Sequence, residues 1–202
     1  MQAAIAKLNG RTPLGATDLE AGLRKAASSF TDDSAARSVI YIGDAMSKAN
    51  VFTEATLSKL VGDLREQHVS VSSFVLGQEP NVQLMAALAN HTGGIVEVDG
   101  TDPNAPATSG RILAGAVRGS VVWPTSSSLP ASFSKVYPNL TPPLRTDRDS
   151  ILIGAMSGTS PAEVKIDGTM NGKPVHLAWS ANPEKAHEDF AFLPKLIDQA
   201  AA

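Results

Sequence analysis

Apolar residues recur at helical spacing, then in short unbroken runs, then at helical spacing again, across the first hundred positions of this chain. Leu19, Leu23, Ala26, Ala27 and Phe30 fall on one helical face, and Glu20 and Arg24 add a favourable i,i+4 ion pair. Ser38-Val-Ile-Tyr-Ile42 is a β-branched run of the kind buried on both faces of a parallel sheet. Thr53 is placed to cap a helix carrying Leu57, Leu60, Val61 and Leu64. Val69 to Leu76 predicts a strand. Val82, Met85 and Ala89 mark a helix after Pro80, and His91-Thr-Gly-Gly94 ends it with glycine chemistry. Ile95-Val-Glu-Val98 predicts a third strand. Helices and strands alternating through short connections imply right-handed crossovers and a parallel sheet.

The pattern then changes. Asp99 to Pro106 is a loop rich in Pro, Gly and Asp, and Ile112, Leu113, Ala116 and Val117 predict one more helix packed on the sheet. From Gly119 the apolar runs shorten: Val121-Val-Trp123, Ser150 to Gly154, Glu163 to Asp167 and Pro174 to Trp179. Pro124 to Pro130 has the composition of a linker, and Asn171-Gly172 is a strong two-residue hairpin signal. Phe190 to Gln199 is expected to be helical, with Pro194 fixing a boundary or kink. The expected organisation is therefore an α/β unit over residues 1–118 and a β-rich unit with a C-terminal helix over residues 119–202.

Composition narrows the partners. The hydrophobic share of 43% with 18% charged residues belongs to a globular chain, and the scarcity of aromatics, 5%, predicts cores of small aliphatic side chains. A formal charge of -3 with no basic block argues against a nucleic-acid or anionic-membrane surface. There are no cysteines, which removes disulfides, thiolate metal sites and Cys nucleophiles. No apolar run approaches the ~18 residues that a membrane helix needs. The first residues lack the basic start and long apolar core of a signal peptide.

Three stretches carry a family resemblance: Thr-Pro-Leu-Gly-Ala-Thr-Asp-Leu over residues 12–19, Val-Ile-Tyr-Ile-Gly-Asp over 39–44, and Leu-Met-Ala-Ala-Leu-Ala-Asn-His-Thr-Gly-Gly over 84–94. In order and spacing the first ~118 residues resemble the second half of a von Willebrand factor type A domain. The stretch from Tyr137 to Asp149 is similar in texture to the region after such a domain in bacterial proteins related to inter-alpha-trypsin inhibitor heavy chains. The implied fold class is α/β, a Rossmann-like parallel sheet with its first strands missing, followed by a small β-rich unit. The resemblance also implies a metal-ion-dependent adhesion site holding Mg²⁺ or Mn²⁺ at the C-terminal ends of the strands. In the family its ligands are an Asp-x-Ser-x-Ser stretch, a Thr before the third helix and an Asp after the fourth strand. The Thr role falls on Thr17 and the Asp role on Asp44.

No Asp-x-Ser-x-Ser stands in the chain. The nearest string, Asp32-Asp33-Ser34-Ala35-Ala36, precedes a strand instead of following one, and Ala45 stands after Asp44 where the family commonly has Gly. One hydroxyl and one carboxylate do not hold Mg²⁺ against water, so the metal is expected in an intact parent and not in this chain alone. In the family order, 3-2-1-4-5-6, the run ending at Asp44 pairs with strand 1. Its free edge would then be covered by the β-rich unit or belong to a fragment of a larger protein; the unremarkable end at Ala202 favours the fragment.

Other readings compete. Thr17-Asp-Leu-Glu20 also fits a capping box, and Asp44 also fits a solvated turn. His68 and His91 sit near helix ends, while His176 and His187 have no partner in the sequence pattern. Asp99, Asp102 and Asn104 read as a polar turn rather than a calcium site, and Gly168 to Lys173 as a hairpin rather than a phosphate loop. With no nucleophile–base pair, paired carboxylates or cofactor fingerprint, the expectation is not an enzyme. It is a binding module for a protein partner, for example one presenting a carboxylate, with a metal-independent structural scaffold as the alternative. The compartment is left open, although the resemblance carries the expectation of a secreted or envelope-associated parent.

Overall fold

The computed structural model describes residues 2–12, 14–31, 36–100, 103–183 and 187–200. Helix α1 (Gln2–Asn9) buries none of its residues. Helix α2 (Leu19–Ala27) leads into strand β1 (Arg37–Gly43), and α3 (Glu54–Glu66), β2 (Val69–Val75), α4 (Val82–Thr92) and β3 (Val96–Val98) follow in strict alternation. The strands lie in the order β1-β2-β3, all parallel, with Val39 opposite Val71 and Ser73 opposite Val96. This is the architecture that the alternating pattern implies.

The two faces of β2 differ chemically. Val69, Val71 and Val75 join Leu19 and Leu23 of α2, Leu60 and Leu64 of α3, and Met85 and Leu88 of α4 in one buried cluster. The alternate residues Ser70 and Ser72 occupy the other face, where α5 (Ala105–Arg118) packs through Ser109, Leu113 and Ala116. Small side chains on that face let the helix approach closely. Helix α5 starts inside the stretch that composition marks as a loop, because Pro106 fits the first helical turn, where its missing N–H costs nothing.

The segment after Gly119 builds two antiparallel sheets. Strands β4 (Val121–Ser128), β6 (Leu144–Arg145), β8 (Ala162–Met170) and β9 (Lys173–Ala181) form one, in the order β6-β4-β8-β9. Strands β5 (Phe133–Tyr137) and β7 (Ile153–Met156) form the other, against which α6 (Leu193–Ala200) packs, with Pro194 in its first turn. Asn171 and Gly172 both have positive φ, as the two-residue turn between β8 and β9 requires. The linker expected at residues 124–130 is corrected: β4 runs through Pro124 to Ser128. A register shift between Pro124 and Ser126 absorbs the proline, which cannot donate to the ladder.

The two regions meet where β2 begins and where α3, α4 and α5 end. Pro142 and Pro143 are buried there. Arg65 donates to the carbonyls of His91 and Thr141 at 3.1 and 3.0 Å, and the His68 ring stacks on Trp123 with centroids 5.1 Å apart. Carbonyls left over at helix C-termini are natural acceptors for such guanidinium groups. In a parallel sheet this is the rim of strand starts. Towards the opposite rim, where the strands end, Tyr137 to Leu140 of the β-rich segment share a groove with Glu54 and Leu57 in the first turns of α3. The β-rich segment comes up to the start of β1, where Ala36 to Ser38 share a groove with Trp123, Asn171 and Gly172. Among the described residues, however, β1 pairs only with β2, so of the two outcomes left open the β-rich unit does not add a strand to that edge.

Candidate functional site

Asp44 and Thr17 both lie at the rim of strand ends, in loops that are tied to each other. The Ala49 N–H donates to the Thr17 carbonyl at 3.0 Å, and the Leu19 N–H donates to Ser47 Oγ at 3.1 Å. Asn50 Nδ2 adds a contact to Glu20 Oε2 at 3.3 Å. Two loops more than twenty residues apart in sequence are thereby stitched together directly beyond β1.

Asp44 is half-buried and its Oδ1 accepts the Met46 N–H at 3.0 Å, which orients the carboxylate. Its carbonyl accepts the Asn81 N–H at 2.8 Å, joining the loop to the start of α4. Ala45 is fully buried with φ of 60°, in the left-handed region that favours glycine, and the Tyr41 hydroxyl accepts its N–H at 3.1 Å. The sharp turn after β1 therefore explains why a glycine suits this position, and here a buried methyl group occupies it instead.

Thr17 is exposed and is not the helix cap. Asp18 is the cap, its Oδ1 accepting the Ala21 N–H at 2.9 Å, which corrects the capping-box reading by one residue. The carboxylate takes the role because it also opposes the positive end of the α2 dipole. Asp18→Ala is accordingly expected to lower stability by about 1 kcal/mol, while Thr17→Ala stays within about 0.5 kcal/mol. Urea denaturation of the two variants checks this, and a larger cost at Thr17 than at Asp18 would contradict it. The Thr17 hydroxyl is thus free of the helix cap.

An ion network holds α2 in place beneath the rim. Arg24 bonds Glu20 at 2.8 Å and also Asp63 of α3, to which Lys59 adds a contact at 3.0 Å. The Arg24 hydrogen bond, followed by that from Lys59, holds the Asp63 carboxyl below its ordinary pKa. Beside Asp44 a groove of about 480 Å³ runs between residues 45–54 and the first turns of α3 and α4, lined by Met46, Lys48, Phe52 and Leu84 among others.

The other candidate positions fall elsewhere. His176 Nδ1 and Asp167 Oδ1 are 2.7 Å apart across β8 and β9, so His176 has an acid partner that sequence alone does not reveal. His187 likewise meets Asp189, at 3.2 Å. Asp32 to Ala35 and Asp102 lie outside the described residues. Among the described residues no three His, Asp or Glu side chains gather as a metal cluster. Ser47 and Asn50, which join the loops, carry no sequence signal, since their partners are a backbone N–H and a side chain on a different helix.

Residues 1–98, ending with β3, match the family model of the von Willebrand factor type A domain. A solved structure described as von Willebrand factor type A from Catenulispora acidiphila is similar over 99% of this chain, with a TM-score of 0.56 and 12% identity. The fold is of the von Willebrand A type. The chain spans only 54% of that structure's length. The human COPII-coat protein Sec24c matches at a TM-score of 0.47 and 12% identity, over 81% of this chain and 28% of its own. The ArnB paralog VWA2 from Sulfolobus acidocaldarius matches at 0.42 and 14%, over 95% and 55%. No curated protein matches the sequence. Within the von Willebrand A fold, the family-model match stops short of α5, although α5 packs on the same sheet.

Proposed function

We propose that the chain is a protein-binding module whose binding face is the rim carrying Thr17 and Asp44. The observation that carries this reading is the stitching of the two loops by the Ala49–Thr17 and Leu19–Ser47 hydrogen bonds, at a rim where Thr17 is exposed and Asp44 half-buried. In open α/β sheets ligands bind beyond the carboxyl ends of the strands.

Thr17 and Asp44 suit a divalent cation in donor type, since hydroxyl and carboxylate oxygens are hard ligands. They do not suit it in number, because Mg²⁺ seeks about six oxygens. These two residues would hold one side of the ion, and residues of a longer parent would supply the other, the present chain corresponding to the C-terminal half of the domain. A parent similar to inter-alpha-trypsin inhibitor heavy chains is the reading that the residues after Tyr137 favour. When bound, the metal would offer an open position to a carboxylate of the partner. Asp44 would be kept oriented by the Met46 N–H, and Thr17 by its carbonyl's bond to Ala49. The proposed role is binding and not catalysis.

The test is affinity capture from extracts of the source organism in Mg²⁺, using the wild type, Thr17→Ala, Asp44→Ala and a Glu163→Ala/Lys165→Ala control on the β8 surface. The expected result is a partner retained by the wild type and the control and weakened more than about tenfold by either rim variant, roughly the effect of losing one charge-assisted contact. A partner lost only in the control would place the binding face on the antiparallel sheet. Rim variants that change stability and leave binding intact would favour the scaffold role.

A further inference from the structure

One peptide group at the rim is held from both sides. The Asp44 carbonyl accepts the Asn81 N–H at 2.8 Å, and the Ala45 N–H donates to the Tyr41 hydroxyl at 3.1 Å. Together these bonds keep Ala45 at φ of 60°, which its Cβ disfavours. Rotating this peptide plane by about 180° would take φ of Ala45 to roughly −120°, an ordinary extended value. The rotation is carried by ψ of Asp44 and φ of Ala45, so the chain on either side keeps its path. A locally relaxed alternative therefore lies one peptide flip away, and the two hydrogen bonds oppose it. Tyr41 is aimed at the turn by its neighbour. Residues 41 and 43 share a face of β1, and a Cβ at Gly43 would stand 2.9 Å from Tyr41 Cζ and closer still to its hydroxyl oxygen. Only glycine leaves room for the ring to lie back along the strand and reach Ala45.

We propose that Tyr41 is a positioning residue whose hydroxyl latches the Asp44–Ala45 peptide and so fixes how Asp44 is presented at the rim. Without that oxygen the N–H of the fully buried Ala45 loses its acceptor, and an unmet buried donor costs more than an ordinary hydrogen bond contributes. A flip would release the left-handed alanine at the same time. What it gives up is the Asn81 bond, and Asn81 is exposed, so its N–H can turn to water. The hydroxyl thus decides between two conformations of nearly the same chain path, as a two-state element requires. The Asp44 carboxylate is drawn into the change, because the Met46 N–H that orients it lies just beyond the rotating peptide. The latch rests on the turn alone, and its consequence for binding rests on the rim being the binding face.

NMR of the whole chain without metal tests the latch in the wild type, Tyr41→Phe, Ala45→Gly and the double variant. Tyr41→Phe keeps the ring that packs against the core, and circular dichroism confirms that each variant folds. The contact between Asp44 Hα and the amide proton of residue 45 depends on ψ of Asp44 and reads the flip. Tyr41→Phe should change it and speed exchange of the Ala45 amide more than about tenfold. Ala45→Gly should keep the wild-type contact and restore it in the double variant, because glycine has no strain to shed at positive φ. Val69→Ala, a core truncation at the far end of β2, should leave the contact unchanged although it lowers stability. A Tyr41→Phe protein with the wild-type contact and exchange would overturn the proposal. So would a change that Val69→Ala reproduces or that Ala45→Gly does not reverse, since either marks general loosening. With Mn²⁺ added, Tyr41→Phe should raise the concentration that half-broadens residues 44–48 at least about tenfold. A flip in Tyr41→Phe with no broadening in the wild type would sink the metal reading of the rim and uphold the latch.

Discussion

Gly94→Ala is expected to cost at least about 3 kcal/mol, a large fraction of the stability of an ordinary domain, and to leave much of the chain unfolded. A Cβ at position 94 would stand 1.7 Å from the carbonyl oxygen of Val71 and 2.3 Å from its carbonyl carbon. Both atoms belong to the backbone of the central strand and cannot rotate away. The residue links the end of α4 to β3, so any shift that relieves the clash also displaces one of them. Gly62 is the internal control: nothing lies within 4 Å of a Cβ built there, and it sits inside α3. Gly62→Ala should therefore raise stability by about 0.5–1 kcal/mol. Urea denaturation of both variants decides the matter. A Gly94→Ala protein as stable as the wild type would contradict the packing of α4 against β2.

Arg145→Ala should be the costliest change on the far side of the molecule, at about 3 kcal/mol. The Arg145 side chain is 0% exposed and donates to the carbonyls of Gly93 and Ala116 at 2.9 Å each, and to both carboxylate oxygens of Asp147 at 2.6 Å. It thus ties the ends of α4 and α5 to the segment after β6. Alanine would leave the buried Gly93 carbonyl and the Asp147 carboxylate without this donor and the Ala116 carbonyl with only the Gly119 N–H. Arg145→Lys would restore the charge but not the fork of donors. The loss should appear in denaturation and in faster proteolysis of the β-rich segment. Near-wild-type stability would show that the segment is held by its prolines and Trp123 instead.

Acid should loosen the same contact. The Arg145 hydrogen bond holds the Asp147 carboxyl below its ordinary range, and burial, then Arg65, holds the His91 imidazole below its own. Both shifts are depressions, so both contributions are complete at neutral pH. That of His91 is lost as the pH falls from about 6.5 towards its lowered native value, and that of Asp147 only below about 3.9, through its own.

Much of this was legible in the residues. The three-strand parallel layer followed from helical spacing interrupted by short apolar runs. The expected burial of Ser38 to Ile42 on both faces is corrected: only Val39 and Tyr41 face the core, while Ile40 and Ile42 stay exposed and β2 carries Ser70 and Ser72 on its second face. The β8–β9 hairpin followed from Asn171-Gly172, whose positive φ angles few other pairs adopt. The linker reading of residues 124–130 failed because serine-rich sequence also makes an exposed strand when a bulge accommodates the proline. The capping residue was misplaced by one, since Thr17 and Asp18 are both good caps and only the path of the chain chooses between them. Local pattern could not reveal Arg145, whose acceptors lie 52 and 29 residues away. The rim was half legible, since Thr17 and Asp44 stand out by type and position. Ser47, whose hydroxyl accepts the Leu19 N–H, and Ala49, whose N–H donates to the Thr17 carbonyl, join their loops through bonds to backbone groups that no sequence pattern marks.

The central claim is that these two loops form one oxygen-lined face, and Mn²⁺-induced broadening of backbone amide signals tests it most directly, because paramagnetic relaxation detects even weak, partly liganded binding. At millimolar Mn²⁺ the account predicts selective broadening at residues 15–18 and 44–48, abolished by Asp44→Ala. Broadening confined to the Asp167–His176 pair, or none at either loop, would contradict it.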